Sequence, residues 1–207
     1  MFLGILRWYY RFWPSFLGKL FKFLFAGSKM RIGKNFRCDS FPRMLKDKDA
    51  SIIIGDDVIF RRNVEIRAHG TSEIRIGNEC RIDRGVRILS ANNACIMLED
   101  SVRVGLYSVF NGGDSISIGF NSLISGFVYL QTSMHNYKGE GNIQKQGFTH
   151  APISLGKDTW LGTHVVVFPG VTLEEGCVVG SSSVVNKSFG QNAVIAGIPA
   201  QLKKKRN

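Results

Sequence analysis

Aliphatic residues recur at every sixth position along most of the chain from about residue 50. In each six-residue unit an aliphatic side chain comes first, a small or acidic residue often follows, and a small or β-branched residue occupies the fifth place. Because the period is six rather than 3.6, this pattern does not describe an amphipathic helix. The longest unbroken run of units begins at Leu155, Leu161, Val167, Leu173, Val179 and Val185.

A longer period overlies the short one. Ile54, Ile76 and Leu98 are 22 residues apart, which equals three units and a four-residue excursion, whereas Leu155 and Leu173 are 18 residues apart. Three short strands per coil, separated by turns, describe a triangular parallel β-helix. The first positions of successive coils are then expected to stack into one continuous apolar interior.

The repeat is interrupted once by a long excursion. Leu130 begins a unit, the next in-phase position is 136, and the repeat resumes only at Leu155. We therefore predict a loop over residues 131–152. His135 lies close to its start, and the sequence that follows is polar and glycine-rich. Long excursions from a rigid repeat are common positions for binding and catalytic residues.

The N-terminal segment has a different pattern. Residues 1–27 contain ten aromatic side chains and four cations, and the polar positions fall within an arc of roughly 140° on a helical wheel. A basic, aromatic amphipathic helix is typical of a membrane-surface anchor, here on the cytoplasmic face, with Pro14 expected to break or kink it. The alternatives are a helix that packs on its own domain or on a neighbouring subunit, and a re-entrant hairpin that turns at Pro14.

The distribution of charge changes the interpretation of the formal net charge of +11. Residues 1–38 carry eight basic side chains and no acidic one, and residues 203–207 carry four more, whereas residues 39–202 hold 15 basic against 16 acidic residues. A nucleic-acid-binding domain usually carries its basic surplus on the fold itself, so nucleic acid is not expected as a partner. The predicted organisation is an amphipathic segment at 1–28, a β-helix domain at 29–200 and a basic tail at 201–207.

Cysteine and histidine spacing argues against a metal site. The four cysteines show no CxxC spacing, and Cys80 and Cys177 both occupy fifth places, where we expect small core residues. His69, His150 and His164 lie far from one another in sequence and lack a closely spaced pair. We therefore expect no metal.

The stretch from Pro152 to Gly162, together with Pro169-Gly170-Val171 and Gly197-Ile198-Pro199-Ala200, resembles the hexapeptide-repeat acyltransferases. The resemblance covers roughly residues 30–200 and is nearest to the sugar O-acetyltransferases, including those that modify bacterial surface polysaccharides. It implies a left-handed β-helix, acetyl-CoA as acyl donor, and a homotrimer with active sites between subunits.

His135 matches the catalytic histidine of the family that the chain resembles. A sugar hydroxyl is a weak nucleophile, and imidazole exchanges a proton near neutral pH, so a histidine can take the hydroxyl proton and return it to the departing thiolate. No serine or cysteine is suitably placed to form a covalent intermediate, which favours direct attack of the hydroxyl on the thioester.

The resemblance also implies residues for donor and acceptor. Trp160 would pack beside the pantetheine arm. Gln201 stands where relatives have a basic residue that contacts the cofactor phosphates, whereas Lys204 matches a second such basic position. The basic tail could meet the 3′-phosphate, lie on anionic lipid or be solvated charge. On the acceptor side the resemblance implies Asn111, with Asp114 and Tyr137 as further candidates. The donor-side residues implied are Trp160, Gly162, Thr163, Ser181, Asn186, Lys187 and Lys204.

These features predict an O-acetyltransferase attached peripherally to the inner face of the cytoplasmic membrane through residues 1–27. Its acceptor is expected to be a glycan or a lipid-linked sugar of a surface polysaccharide precursor. Two alternatives remain at this point: a non-catalytic β-helix that scaffolds a membrane complex, and an acyltransferase for a small soluble acceptor such as serine or a sugar nucleotide.

Overall fold

The computed structural model describes the backbone of residues 2–206 and the side chains of Tyr9 and of residues 12–206. Met1 and Asn207, which begin the predicted membrane segment and end the predicted tail, lie outside the described residues, as do the other side chains before residue 12. Within residues 2–206 the chain forms one α-helix, α1 (Phe2–Phe25), one 3₁₀ helix (Ile143–Lys145) and 25 strands.

The strands are short and regularly spaced. They are β1 (Met30–Ile32), β2 (Arg37–Cys38), β3 (Arg43–Lys46), β4 (Ser51–Ile54), β5 (Ile59–Phe60), β6 (Glu65–Ala68), β7 (Glu73–Ile76), β8 (Arg81–Ile82), β9 (Arg87–Ser90), β10 (Cys95–Leu98), β11 (Arg103–Val104), β12 (Val109–Gly112), β13 (Ile116–Ile118), β14 (Leu123–Ile124), β15 (Tyr129–Gln131), β16 (Ser133–His135), β17 (Phe148–His150), β18 (Ile153–Leu155), β19 (Trp160–Leu161), β20 (Val166–Val167), β21 (Thr172–Leu173), β22 (Val178–Val179), β23 (Val184–Val185), β24 (Ala193–Gly197) and β25 (Ala200–Lys205).

Three sheets form the three faces of a prism. The first face is β1-β4-β7-β10-β13-β18-β21, the second is β2-β5-β8-β11-β14-β19-β22-β24-β25, and the third is β3-β6-β9-β12-β15-β20-β23. Neighbouring strands within each face are parallel, except that β25 runs antiparallel to β24. The predicted left-handed parallel β-helix is confirmed.

The interior is built from aliphatic side chains stacked coil on coil. Ile52 pairs with Ile74 and Ile74 with Ile96, each 22 residues apart, and all three are fully buried. Ile96 then pairs with Ile116 after only 20 residues, a coil length that the sequence periods of 22 and 18 did not predict. The register nevertheless continues without a shift, because the shortening falls in a corner rather than in a strand.

The two predicted core cysteines occupy this interior. Cys80 and Cys177 are buried, and neither forms a disulfide. Burial raises the pKa of the Cys80 thiol to about 12, so the group stays neutral and behaves as a small apolar side chain. The expectation that these residues are structural is confirmed.

Helix α1 packs its C-terminal half against the first coil. Phe21 is buried between Phe36 and Phe41, at ring-centroid distances of 6.1 and 5.4 Å, and Lys22 Nζ donates to the carbonyl of Gly33 at 2.9 Å. Gly18 lies so close to the coil that an added Cβ would stand 2.0 Å from the Phe36 carbonyl oxygen. Packing on its own domain, one of the alternatives from the sequence, therefore holds for this half of the helix.

Pro14 lies inside α1 without interrupting it. The expected break at this position is wrong, and so is the hairpin that would turn there, because the helix continues from Phe2 to Phe25. None of the helical residues that the structure describes forms a segment both long and apolar enough to cross a membrane.

The C-terminal segment is a strand rather than an extended tail. β25 pairs antiparallel with β24 and is the outermost strand of the second face. It covers the edge of β24 at one end of the solenoid, while the helix α1 packs at the other end. Residues 201–205, which the sequence predicts as tail, are therefore held by backbone hydrogen bonds.

Candidate active site

The predicted loop is a structured hairpin that leaves the prism at the corner between the third and first faces. β16 and β17 pair antiparallel, with His135 opposite Phe148 and Ser133 opposite His150. The base of the hairpin is tied to the solenoid, because the backbone N–H of Ala151 donates to the carbonyl of buried Thr132 at 3.0 Å. The structure thus holds the start and the end of the excursion together.

His135 is exposed and packs on an aromatic ring. Its imidazole centroid lies 4.1 Å from that of Phe148, with an angle of 38° between the ring planes. Phe148 is itself half exposed, so the pair forms one side of the hairpin surface. The contact limits the orientations of the imidazole while leaving its edge open to solvent.

A second histidine lies at the base of the same hairpin face. Ser133 Oγ and His150 Nδ1 are 2.8 Å apart, and the His150 ring is 6.1 Å from Phe148. Gly113 makes this arrangement possible, since an added Cβ would lie 2.2 Å from Ser133 Oγ and 2.8 Å from His150 Nδ1. The sequence pattern singled out neither Ser133 nor Phe148, because nothing in a polar loop indicates which residues pair across it.

The predicted acceptor residues lie near the root of the loop. Asn111 projects outward from β12 and its Nδ2 donates to Gln131 Oε1 at 2.9 Å. Asp114 Oδ1 accepts from the backbone N–H of Ser115 at 2.6 Å, which holds the corner that precedes β13. Tyr137 is exposed on the loop beyond His135. The structure therefore gathers Asn111, Asp114 and the loop at one corner, with Asp114 occupied in a turn.

Trp160 projects from the second face into a cavity of about 620 Å³. Its side chain is 47% exposed, and the indole Nε1 donates to Ser125 Oγ at 3.1 Å. Two cations, Arg103 and Arg206, line the same cavity. The cavity is suited to an elongated ligand that carries both apolar and anionic groups.

The two arginines were not predicted as individual site residues. Arg103 and Trp160 each occupy the sixth position of a six-residue unit, and both pair in register with Leu123 of β14, one on each side. Their equivalent positions in the repeat could therefore have indicated that they share a face. Arg206 Nη1 lies 2.8 Å from Asp158 Oδ2 and donates to the Gly176 carbonyl at 3.1 Å. Strand β25 delivers Arg206 to this cavity, which a disordered tail would not do.

The corner between the second and third faces carries the other predicted donor residues of this region. An added Cβ at Gly162 would lie 2.6 Å from the backbone nitrogen of Ser181, so glycine permits the close approach of two coils. Thr163 Oγ1 donates to the carbonyl of Gly126 at 2.9 Å, and Ser181 is exposed. Gly162 itself is buried and its N–H donates to the Val179 carbonyl at 2.8 Å, so the exposed group at this corner is Ser181.

The remaining predicted donor residues lie elsewhere. Asn186 and Lys187 follow β23, on the same corner as the loop that carries His135, and Lys187 Nζ donates to Gln201 Oε1 at 2.9 Å. Lys204 is exposed on β25, opposite Val194. Gln201, the residue that departs from the family pattern, thus holds a lysine in place.

The predicted site residues consequently form two groups on one chain. One group lies at the corner between the third and first faces or on the third face beside it, and consists of His135, Asn111, Asp114 and Lys187. Trp160 lies on the second face. The cavity that Trp160 lines does not include His135. A single chain does not bring these two residues together.

The other histidines have separate surroundings. His69 Nδ1 lies 3.6 Å from Asp47 Oδ1, and the His164 ring stacks on Phe127 at 4.9 Å. Among the described residues no group of three or more histidine, cysteine or carboxylate side chains is arranged to hold a metal ion.

Curated relatives are similar over most or part of the chain. An Escherichia coli protein with the provisional name lipopolysaccharide biosynthesis O-acetyl transferase WbbJ is 28% identical over 86% of this chain and 94% of its own length. The galactoside O-acetyltransferase of Escherichia coli is 37% identical over 42% of this chain and 43% of its own length. The chain thus spans nearly all of the first relative and less than half of the second. No family model matches the chain.

A solved structure shares the fold. A variant of the N-acyltransferase AntD from Bacillus cereus, in complex with dTDP and coenzyme A, superposes with a TM-score of 0.63 at 22% identity. The match covers 91% of this chain and 89% of that one. At this identity the match shows the solenoid architecture.

Proposed function

We propose that the chain is a hexapeptide-repeat acyltransferase that transfers an acetyl group from acetyl-CoA to a sugar hydroxyl of a surface polysaccharide or its lipid-linked precursor. The presentation of His135 on a structured hairpin, against Phe148, is the observation that carries this proposal. The names of the curated relatives, which include O-acetyltransferases for lipopolysaccharide and for galactosides, support a sugar as acceptor.

His135 serves as the general base. It removes the proton from the acceptor hydroxyl as the oxygen attacks the thioester carbonyl carbon, and it returns that proton to the thiolate when the carbon–sulfur bond breaks. The exposed edge of the imidazole supports this role, because a base must reach the proton that it abstracts. A backbone N–H near Gly162 is suited to stabilise the negative charge that develops on the carbonyl oxygen.

The cavity beside Trp160 is the proposed donor site. The indole provides an apolar surface for the pantetheine arm, and Arg103 and Arg206 supply positive charge for phosphate groups. Thr163, Ser181, Asn186, Lys187 and Lys204 are proposed to contact the same donor at further points along the coils.

Two copies of the chain are needed to complete this site. Trp160 and His135 project from different sides of one prism, so a donor that contacts both must lie between the second face of one subunit and the loop of another. A homotrimer with three such clefts is the assembly that we propose, since a closed ring of this kind repeats one cleft at each interface.

Attachment to the inner face of the cytoplasmic membrane is proposed through α1. Phe16 and Phe23 on this helix are 55% and 85% exposed, although the C-terminal half of the helix packs on the solenoid. Residues 1–38 carry eight cations and no acid, a composition that favours anionic lipid. A surface-bound enzyme encounters a membrane-held acceptor at a raised local concentration.

Release of free coenzyme A from acetyl-CoA, in the presence of polysaccharide precursors, tests the proposal. His135→Ala should reduce turnover by about a hundredfold or more, as expected for loss of a general base. His69→Ala is a matched control, because His69 is a histidine at the same corner of an earlier coil. Unchanged turnover in His135→Ala would overturn the mechanism, and absence of turnover in the wild type would favour the non-catalytic scaffold.

A further inference from the structure

A cavity of about 290 Å³ separates α1 from the first three coils, away from the residues assigned to catalysis. Its floor is the corner between the second and third faces, and its wall is the middle of the helix. Three arginines and three helix residues dominate its lining. These are Tyr9, Trp13, Pro14, Arg61, Arg62 and Arg84.

One row of charges at the floor is balanced. Asp39, Arg61 and Asp83 occupy equivalent positions in three successive coils, 22 residues apart. Arg61 Nη1 lies 3.3 Å from Asp39 Oδ1, and Asp83 Oδ1 accepts from the backbone N–H of Arg84 at 2.6 Å. The charge of Arg61 is therefore paired with Asp39 on the preceding coil, and the row as a whole holds two carboxylates and one guanidinium.

The neighbouring row is unbalanced. Arg62 and Arg84 follow Arg61 and Asp83 directly, so they occupy equivalent corner positions of two successive coils, where the backbone N–H of Gly85 donates to the Arg62 carbonyl at 3.0 Å. Within the described residues neither guanidinium forms an ion pair, whereas Arg67, Arg75 and Arg206 elsewhere on the solenoid do. Like charges stacked at one corner of successive coils repel each other, so an unpaired pair of this kind points to a ligand of opposite charge.

The helix closes this cationic floor with an aromatic wall. Tyr9 and Trp13 stack at a centroid distance of 5.6 Å and an angle of 19°. Phe16, one turn further along, is half exposed outside the cavity. The cavity thus places cationic groups directly behind the part of the chain that offers apolar side chains to a bilayer.

We propose that this cavity binds the phosphate group of an anionic membrane lipid, held by Arg62 and Arg84 between the coils and α1. Guanidinium groups donate paired hydrogen bonds that match the oxygens of a phosphate, and Trp13 and Tyr9 can cover the adjoining glycerol portion. This inference rests on the proposed membrane attachment and adds a specific site to it. The lipid would tie the helix to the solenoid as well as to the bilayer.

Flotation of the full chain with vesicles tests the site. One set of vesicles contains phosphatidylcholine and phosphatidic acid, and the other contains phosphatidylcholine and oleic acid at matched surface potential. The wild type should bind the phosphatidic acid vesicles more tightly. The affinity of Arg62→Gln/Arg84→Gln for these vesicles should be lower by at least about tenfold, since two phosphate contacts are lost.

Two further variants separate recognition from general charge. Arg62→Lys/Arg84→Lys keeps the charges but loses the paired donors, so it should bind both vesicle types alike. Arg43→Gln/Arg81→Gln removes two exposed cations that lie outside residues 1–38 and do not line the cavity, and it should retain the preference for phosphatidic acid. Equal losses in this control and in the Arg62/Arg84 variant, or no preference in the wild type, would overturn the site.

Inorganic phosphate distinguishes a free ion from a lipid headgroup. Displacement of the wild type from phosphatidic acid vesicles by phosphate, but not by chloride of equal ionic strength, would show that the phosphate group alone suffices. No displacement would assign the site to the headgroup in its bilayer.

Failure of membrane attachment has a separate signature. In that case the wild type binds neither type of vesicle, and phosphorus NMR of glycerol phosphate then tests the cavity by itself. Broadening by the wild type and not by Arg62→Gln/Arg84→Gln supports the site, whereas equal broadening rejects it.

Discussion

The imidazole of His135 and the phenyl ring of Phe148 face each other across the hairpin of β16 and β17, one on each strand, with their centroids 4.1 Å apart. The ring contact orients a side chain that is otherwise exposed. We therefore expect Phe148 to act as a positioning residue for the proposed base, and its contribution to the rate can be measured independently of His135.

Phe148→Ala should lower kcat by between about tenfold and a hundredfold, because a misplaced base loses much of its advantage. The KM for acetyl-CoA should change little, and Phe148→Tyr should restore most of the rate. Ile143→Ala, at a half-exposed position on the same excursion, serves as the control and should keep the wild-type rate. If Phe148→Ala keeps the wild-type kcat, the ring does not position the base.

Mixed assemblies test whether each active site uses two copies of the chain. His135→Ala and Trp160→Ala should each have low activity at limiting acetyl-CoA. When the two variants are co-expressed as a random mixture, sites that combine the intact Trp160 of one chain with the intact His135 of another should give about a quarter of the wild-type rate. Activity no higher than the mean of the two variants would place both residues in one chain's site.

Gly18→Ala should weaken the packing of α1 on the first coil. The added methyl group would stand 2.0 Å from the Phe36 carbonyl oxygen, so the helix must move away, at a cost of about 1–3 kcal/mol. Amide hydrogen exchange in α1 should accelerate, and unfolding should begin at a lower urea concentration. Gly27→Ala is the matched control, since an added Cβ there meets no atom within 4 Å, and it should leave both measurements unchanged.

Thiol labelling should follow burial. Desolvation raises the pKa of the Cys38 and Cys80 thiols from 9.0 to about 12, so both stay protonated in the native state up to strongly alkaline pH. Cys95, which is only partly buried, should react first with a maleimide, while Cys38 and Cys80 should react only after unfolding. Rapid native labelling of Cys80 at pH 8 would contradict this order.

The same raised pKa values give stability a pH dependence. Above pH 9 the unfolded chain releases protons from Cys38 and Cys80 that the folded chain retains, so the free energy of unfolding should fall between pH 9 and about 12 and be unaffected by these groups below pH 9. Urea titrations of wild type and Cys80→Ala across this range measure the effect. The variant should show the shallower decline, and equal slopes would contradict the assignment.

The parts of the fold with a strict period were predictable from sequence. A register shift of one residue would move every aliphatic side chain of a strand from the interior to the surface, so the six-residue pattern specifies strands and corners alike. The position of the excursion between Leu130 and Leu155 followed from the same count. His135 was assigned by its resemblance to a family, and the hairpin that presents it carries no periodic signal.

Other features depend on tertiary contacts that no local pattern encodes. From sequence alone, residues Lys203–Arg206 cannot be distinguished from a solvated run of charges, because their strand forms only by pairing with β24. The pairing of His135 with Phe148 likewise requires a hairpin register within a polar segment. The packing of Gly18 on Phe36 depends on the angle at which α1 meets the first coil, which amphipathicity does not specify.

The coils on either side of the hairpin meet as though it were absent, since Ile116 pairs with Ile153 in the same register that joins Ile74 to Ile96. The packing of the core therefore does not depend on the length or the sequence of the excursion. Natural variation can lengthen, shorten or replace these residues without repacking a single coil. The excursion and the solenoid are in this sense separable, so these residues can be exchanged as one segment while the scaffold stays unchanged.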